Sequence, residues 1–320
     1  MLSLLTSSLP LPAADSARPE VTARELHTMV ILTTFAALLA LEVRFGRRDR
    51  PAKVFRQSYL TNLSTFILND TLLSLLSVSS LMAIASRYAQ GGFLDPITSP
   101  LGKAVASFFL LDLTLYLWHK ASHAYECLWM FHKVHHSDRC MNVSTAFRLH
   151  FMEAFLTTLV KAAFILVMGV DSMIVLASEA VITLCVMFHH SNLSFRAEHQ
   201  LGRLIVVPYL HRVHHSTERA EHDHNYGFVF SFWDRIFGTL EELEPRELGL
   251  KHVETQGFLE LVKFGLTQTI APTPRSTHAM VAEAAYYKAE RRGFAPGWEM
   301  ADWLDAEKET LDQTESNSGS

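Results

Sequence analysis

The stretch that decides the fold runs from residue 105 to residue 136 and reads VASFFLLDLTLYLWHKASHAYECLWMFHKVHH. Its first part, Val105–Trp118, is apolar apart from Asp112, as is typical of a helix that crosses a membrane. Its second part carries five histidines in two motifs, HxxxH and HxxHH. The chain therefore passes directly from an apolar helix into a histidine-rich segment.

Further apolar segments lie on both sides of this stretch, and only 19% of all residues are charged. We therefore predict an all-α, multi-pass membrane protein with about four to five membrane-embedded helices. The candidates are about His27–Val43, Leu60–Ala85, Val105–Trp118, Phe151–Val170 and Ser172–Phe188. Gly169 and Asp171 mark a turn, which predicts that the last two helices form a hairpin that enters the membrane and returns.

The orientation is predicted from the basic loop Arg44–Arg56, which carries six arginines and lysines. By the positive-inside rule this loop is cytoplasmic. Counting crossings from there brings every histidine-rich segment to the same face. We expect a helical, histidine-rich cap on the cytoplasmic side of an integral membrane protein.

Composition excludes some classes of protein. The net charge of −5 gives no basic field, so we expect no nucleic-acid partner. The three cysteines, Cys127, Cys140 and Cys185, are widely spaced and form neither a disulfide framework nor a CxxC zinc motif.

Histidine is concentrated: 14 of the 17 histidines lie between His119 and His224. Residues three or four apart share one face of a helix, so HxxxH and HxxHH motifs can present their imidazoles together. The motifs comprise His119 and His123; His132, His135 and His136; and His211, His214 and His215, and the pair His189-His190 ends the fifth predicted helix. One zinc ion takes four ligands, so this number of imidazoles suits two metal ions. Imidazole alone does not select iron over zinc or copper.

These motifs resemble the fatty acid hydroxylase/sterol desaturase superfamily. The resemblance covers Phe108–Thr239 and rests on WHKASH, LWMFHKVHHS, TAFRLHFMEAF, HHSNL, HRVHHS and NYGFVFSFWDRIFGT. It implies a membrane-bound oxidoreductase with two iron ions (Fe2+) that uses dioxygen to hydroxylate or desaturate a sterol, fatty acyl chain or related lipid. A separate electron-transfer protein is implied as well, because no cytochrome-like domain is recognisable in the chain.

The family's functional residues fall on matching positions of this sequence. The implied metal ligands are His119, His123, His132, His135, His136, His190, His211, His214 and His215, with His189 in place of His190 if the register slips by one. The arginine–histidine–acid motif falls on Arg148, His150 and Glu153, and Phe151 stands where the family often has proline. The closing motif falls on Asn225, Tyr226, Gly227, Trp233, Asp234, Phe237, Gly238 and Thr239.

Metal-bound histidines usually donate their second N–H to a carboxylate or carbonyl. The candidate acids are Asp112, Glu153, Asp223 and Asp234; Asp112 lies two turns before His119 on the same helix face. His150 is open between a metal ligand, a hydrogen-bonding partner of a ligand and a helix cap. We take Asp112, His150, Glu153 and Asp234 as the catalytic candidates beside the metal ligands. His199, His222 and His224 lie near the histidine motifs but lack their spacing; His224 could reach the site, although we expect it at the surface. Phe230, Phe232 and Trp233 are expected to pack a hydrophobic lid.

The predicted organisation has three parts. Residues 1–103 form an N-terminal segment with two transmembrane helices, and residues 104–240 form the catalytic domain. Residues 241–320 form a polar cytosolic region with a surface helix at about Ser276–Arg292 and a disordered tail from about Lys308.

Two other functions remain open from the sequence. The same imidazoles could hold two zinc ions in a hydrolase that acts on a membrane lipid. They could also serve a non-enzymatic metal-binding membrane protein, although ligands on one side of the bilayer argue against a transport path. The sequence fixes neither the substrate nor the oligomeric state.

Overall fold

The fold is all-α in a computed structural model that describes residues 23–47, 51–75, 81–88, 91–267 and 277–318. Two compact units divide the chain between Gly265 and Leu266. The helices of the first unit are α1 Ala23–Phe45, α2 Ala52–Leu75, α3 Leu81–Tyr88, α4 Pro100–Ala124, α5 Glu126–His136, α6 Phe151–Met168, α7 Ser172–His190, α8 Glu198–Leu201, α9 Pro208–His214, α10 Arg219–His222, α11 Phe232–Ile236 and α12 Phe258–Phe264. A 3₁₀ helix, Val143–Phe147, lies between α5 and α6.

Four helices of the described part are long and apolar enough to cross a membrane, namely α1 from Glu25 onward, α4, α6 and α7. The second predicted span, Leu60–Ala85, differs: it is divided into α2 and α3, with residues 76–80 outside the described ranges. Five polar residues of α2 are buried, namely Ser58, Thr61, Asn62, Thr65 and Asn69. Their polarity lowers the hydropathy of α2, and all but Thr65 donate hydrogen bonds to residues outside α2.

The hairpin of α6 and α7 is present as predicted. Gly169 ends α6 with a φ of 71°, a left-handed conformation that favours glycine. The loop before α4 packs against this turn, because the N–H of Leu94 donates to the carbonyl of Met168 at 3.0 Å. The start of α4 and the α6–α7 turn therefore lie at the same end of the bundle.

The histidines lie at the opposite end. His123 is in the last turn of α4, His190 is the last residue of α7, and His150 immediately precedes α6. Buried apolar residues of α4, α6 and α7, such as Leu111, Ile165 and Ile182, form one core between the two ends. The predicted gathering of the histidine-rich segments at one end is thus what the helix packing produces.

The second unit, from Leu266 to Ser320, contains α13 Thr277–Arg291 and α14 Glu299–Ser318. The helix that the sequence predicts at about Ser276–Arg292 corresponds to α13. Lys288 of α13 forms ion pairs with Asp305 at 3.3 Å and Glu309 at 2.8 Å on α14. α14 continues to Ser318, across the segment from about Lys308 for which the sequence predicts disorder.

Candidate metal centre

Each histidine motif lies on a short helix or at the end of a long one. α4 ends at Ala124 and α5 begins at Glu126, so Tyr125 alone turns the chain between the first two motifs. Pro208 occupies the first turn of α9, where its missing N–H costs no helical hydrogen bond. On these helices the i, i+3 and i+4 spacing brings the imidazoles of each motif to one side of its helix, and the two HxxHH motifs are each divided between two groups of potential ligands.

The first histidine group contains His119, His123, His132, His136 and His214, and their ligand atoms all lie within 4.8 Å of one another. The Nε2 atom of His119 is 3.0 Å from that of His132 and 2.9 Å from that of His214. The Nε2 atom of His136 is 3.2 Å from those of His123 and His132. Three separate helices thus point Nε2 atoms at one small volume.

The second histidine group contains His135, His190, His211 and His215. The Nε2 atom of His190 lies 3.0 Å from that of His135 and 2.9 Å from that of His211, and the Nε2 atoms of His211 and His215 are 3.2 Å apart. It adjoins the first group, because the rings of His136 and His215 stack with centroids 4.7 Å apart. All nine predicted ligands are therefore distributed over two neighbouring groups.

The hydrogen bonds around the first group show what its centre can bind. His119 donates from Nδ1 to the carbonyl of Tyr226 at 2.8 Å, and His214 donates from Nδ1 to the carbonyl of His224 at 2.7 Å. A carbonyl only accepts, so in the neutral imidazoles the proton is on Nδ1 and Nε2 carries a lone pair. Two such lone pairs face each other 2.9 Å apart. This arrangement is repulsive by itself and would be stabilised by a cation bound to both atoms.

Burial keeps these imidazoles neutral. Burial lowers the pKa values of five of these histidines well below the usual 6.5, and the neighbouring imidazoles lower them further. The five lie on α5, on α9 or directly after α9, and are His135, His136, His211, His214 and His215. A neutral imidazole is the form that binds a metal. Both groups consist of histidine without a carboxylate among their ligand atoms. The donor set therefore fits two metal ions.

Two carboxylates contact the histidines from outside. Glu153 accepts a hydrogen bond from Nδ1 of His132 at 2.5 Å, and Asp223 accepts one from Nδ1 of His123 at 3.1 Å. Such partners fix the orientation and tautomer of a metal-binding imidazole. The sequence predicts this type of contact for both acids.

Asp112 and Asp234 were expected to accept hydrogen bonds from metal-binding histidines, but they have other partners. Asp112 accepts hydrogen bonds from the N–H groups of Val229 and Phe230 and from the indole of Trp233. Asp234 accepts from the N–H groups at positions 226 and 227 and from the Thr239 hydroxyl. Both acids hold the segment that supplies the Tyr226 carbonyl to His119, so they act on the site through the backbone.

His150 is a helix cap, one of the three roles left open by the sequence. Its Nδ1 accepts a hydrogen bond from the N–H of Met152 at 3.3 Å, and its ring stacks on Phe131. It begins α6 one turn before Glu153. Of the three roles, these contacts support the cap.

His190, rather than His189, enters the second group. His189 is buried as well, and its ring centroid lies 4.1 Å from that of His211. The two neighbours leave the end of α7 in different directions, so only His190 points Nε2 into the group.

His222 is a buried site residue that motif spacing does not identify. It is 6% exposed, stacks on Trp129 and forms a third group of potential ligands with His123 and Asp223. Its position depends on the short helix α10 and on tertiary packing, so motif spacing carries no signal for it.

The N-terminal helices also contribute to the site, through contacts that no sequence motif predicts. Asp138, two residues after the second motif, accepts hydrogen bonds from Ser58 and Asn62 of α2 at 2.7 and 3.0 Å. Glu42 of α1 accepts from the N–H of Asn192, two residues after His190, at 2.5 Å. Thus α1 and α2 hold the backbone that follows two of the histidine segments.

Comparisons with known proteins agree with this geometry. Residues 104–239 match the family model described as Fatty acid hydroxylase, and residues 276–311 match one described as Protein of unknown function (DUF2934). The chain is 27% identical over 199 residues to ornithine lipid hydroxylase OlsE of Rhizobium tropici, across 59% of this chain and 60% of the relative. It is 30% identical over 148 residues to alkylglycerol monooxygenase of Homo sapiens, across 46% of this chain and 33% of the relative.

The alkylglycerol monooxygenase of Caenorhabditis elegans is 32% identical over 136 residues, across 42% of this chain and 26% of the relative. The match therefore spans less than two thirds of the length of each of these relatives. No solved structure matches the chain.

Proposed function

Because residues 104–239 are a fatty acid hydroxylase domain of the fatty acid hydroxylase/sterol desaturase superfamily, we propose that this protein is a membrane-bound, di-iron oxidoreductase. It uses dioxygen to oxidise a C–H bond of a lipid. The observation that carries this proposal is the pair of adjacent histidine groups whose Nε2 atoms converge where α4 and α7 end.

The first metal ion would be held by the first histidine group and the second by the second histidine group. Iron bound there would supply the activation of dioxygen and the oxidation of the C–H bond. The chain's own residues orient the imidazoles, through Glu153, Asp223 and the carbonyl of Tyr226, and exclude water by burial.

Hydroxylation is favoured over desaturation. The names of the matched relatives, a lipid hydroxylase and a monooxygenase, both denote insertion of oxygen. In such a reaction one oxygen atom enters the C–H bond and the other leaves as water. The two electrons come from an external electron-transfer protein, and two protons come from solvent.

A lipid substrate is supported by the position of the site at the end of helices that can cross a membrane. An apolar cavity of about 120 Å³ lies between α2 and α6, and its lining consists of Leu72, Leu73, Phe151, Met152 and Phe155. This lining adjoins Glu153 in the first turn of α6. Apolar walls so close to the histidines suit an acyl or alkyl chain.

A zinc-dependent lipid hydrolase is the second candidate, since the imidazoles alone do not choose the metal. The two functions differ in oxygen use. A monooxygenase adds an oxygen atom from dioxygen to its product, whereas a hydrolase cleaves its substrate equally well without dioxygen. A non-enzymatic metal-binding protein changes no lipid at all.

The test is a comparison of lipid extracts from cells with the intact protein and cells with His135→Ala, grown under ¹⁸O₂. We expect a lipid that gains one ¹⁸O atom only with the intact protein. His199→Ala changes an exposed histidine outside both groups and should preserve this product. A product that forms without dioxygen, or that persists in His135→Ala, would contradict the proposal.

We further propose that the histidines face the cytoplasm, as the basic loop after α1 predicts. Cys127, at the start of α5, is exposed on the histidine side and can report this orientation. A membrane-impermeant maleimide should label it only after cells are opened, and Cys127→Ser should abolish that labelling. Labelling of Cys127 in intact cells would reverse the orientation.

A further inference from the structure

The segment from Tyr226 to Phe237 runs down the side of α4 and returns. At its start, Tyr226 packs edge-on against Tyr116 of α4 with centroids 6.1 Å apart. Further along, Phe230 stacks on Phe109 of α4 at 4.8 Å. At its end, Phe237 stacks on Tyr116 at 5.2 Å. The segment is therefore a loop whose two ends lie at the level of Tyr116 and whose tip lies at the level of Phe109.

The depth of this loop follows from helix geometry. Tyr116 and Phe109 are seven residues apart on α4, which corresponds to about 10 Å along the helix axis. α4 runs from Pro100 to Ala124 and is one of the four helices that can cross a membrane. The tip of the loop thus reaches roughly the middle of a membrane-spanning helix.

Non-helical backbone at that depth needs partners for its polar groups, because hydrocarbon offers none. Asp112 of α4 accepts from the N–H groups of Val229 and Phe230 at 3.0 and 3.2 Å. The carbonyl of Val229 accepts from the N–H of Val206 at 2.9 Å, and the N–H of Ser231 donates to the carbonyl of Leu204 at 3.2 Å. This explains why α4 carries a buried carboxylate at a membrane-spanning position: it serves the loop.

The outer side of the loop is apolar and exposed. Leu204, Ile236 and Phe237 are 66%, 64% and 45% exposed, and this patch continues the outward face of α4, where Leu117 is 48% exposed. The adjacent Arg203 and Arg235 are exposed as well. Arginine side chains are long enough to extend from such an apolar patch in the acyl-chain region to the lipid headgroups.

We propose that residues 226–237, with Leu204, form a re-entrant loop that is inserted into the lipid leaflet beside α4. Lipid is the partner of its exposed apolar side, because that side is continuous with the lipid-facing side of a spanning helix. A soluble protein partner would have to reach beside the middle of α4. The inference is independent of which reaction the histidine site performs.

The test places single cysteines at Leu204, Ile236 and Phe237 in a Cys127→Ser background and attaches a nitroxide to each. The proteins are reconstituted into vesicles of phosphatidylcholine and phosphatidylglycerol. Collisions are measured with oxygen, which concentrates in the bilayer, and with a water-soluble nickel chelate. Leu117→Cys is the lipid-facing reference, and Arg219→Cys, with a 77% exposed side chain, is the aqueous reference.

We expect the three loop sites to behave like Leu117→Cys, with oxygen collisions exceeding nickel collisions. The unsubstituted background gives the signal from Cys140 and Cys185. If Phe237→Cys fails to fold, Leu204→Cys and Ile236→Cys decide the outcome. A ratio like that of Arg219→Cys would overturn the proposal, and so would low accessibility to both reagents, which indicates contact with protein.

Discussion

Single hydrogen bonds from outside the site decide how the imidazoles are oriented. Glu153 is the acid with the shortest such contact, 2.5 Å from Nδ1 of His132, and it is buried. Its negative charge strengthens His132 as a donor to a metal and holds the ring in place. The carbonyls of Tyr226 and His224 do the same for His119 and His214 without a charge.

Replacement of this carboxylate should therefore weaken metal binding. For Glu153→Gln we expect about a 10- to 100-fold loss of metal affinity, with activity falling in parallel. The measurement is the metal content after dialysis against graded chelator concentrations. Glu244→Gln, which changes a 57% exposed acid at the surface, is the matched control and should behave like the unchanged protein. Unaltered retention in Glu153→Gln would remove this acid from the site.

The neighbouring pair His189-His190 allows a second residue-level prediction. His190→Ala should lose the metal of the second histidine group, because the Nε2 atom of His190 lies 3.0 and 2.9 Å from those of its neighbours. His189→Gln should retain both metals, since His189 is outside either group. Metal analysis of the two purified variants distinguishes them, and the opposite pattern would mean that His189 is the ligand.

Motif spacing was sufficient to predict eight of the nine grouped histidines, and the family resemblance supplied His190, with His189 as the alternative. Of the four acids expected to contact the ligands, Glu153 and Asp223 do so. Prediction from the sequence failed for His222 and Asp112, because their partners come from loops or from distant parts of the chain. No local pattern encodes such contacts.

At the scale of elements, α1 and α2 position histidine segments that belong to a different part of the sequence. Asn62 of α2 is fully buried and donates to Asp138 and Ser144, while its carbonyl oxygen accepts from Arg148 at 3.0 Å. Arg148 in turn donates to the carbonyl of Val134 within the second motif. Ser58 and Asn62, two of the polar residues that lower the hydropathy of α2, belong to this network.

Removal of the Asn62 side chain should destabilise this connection. For Asn62→Ala we expect a loss of about 1–3 kcal/mol, because a buried guanidinium and a buried carboxylate each lose a partner. The measurement is the midpoint of thermal unfolding in detergent, together with metal content. Leu60→Ala changes an exposed residue of the same helix and should shift the midpoint far less. Equal shifts in both variants would speak against the network.

For the molecule as a whole, the buried imidazoles make stability depend on pH. Burial lowers the pKa values of His135, His136, His211, His214 and His215 below the usual 6.5 in the folded state. Below about pH 6.5 the unfolded chain therefore binds more protons than the folded one, and acid favours unfolding. The free energy of unfolding is therefore highest above about pH 6.5 and decreases as the pH falls below that value.

We accordingly expect the thermal midpoint of the metal-free protein to decrease when the pH is lowered from about 7.5 to about 5.5. His199→Ala leaves all five buried histidines in place and should show the same pH dependence. A midpoint that rises on acidification would contradict the assignment of neutral, buried imidazoles.

The architecture, an all-α membrane protein with its histidines at one end of the bundle, could be predicted from the apolar segments and the histidine spacing. The pairing of α13 with α14 could not be predicted from the sequence, because it depends on contacts between distant residues such as those of Lys288 with Asp305 and Glu309. The position of the loop beside α4 could not be predicted either, because it depends on hydrogen bonds between Asp112 and residues more than 100 positions later.

The central claim is that the two histidine groups hold two metal ions, and metal stoichiometry tests it most directly. The full chain is purified in detergent without oxygen, and iron, zinc and copper are quantified per chain. We predict two iron ions in the unchanged protein, with His214→Ala and His211→Ala each losing the metal of one group. One metal ion or none in the unchanged protein, or zinc in place of iron, would contradict the account.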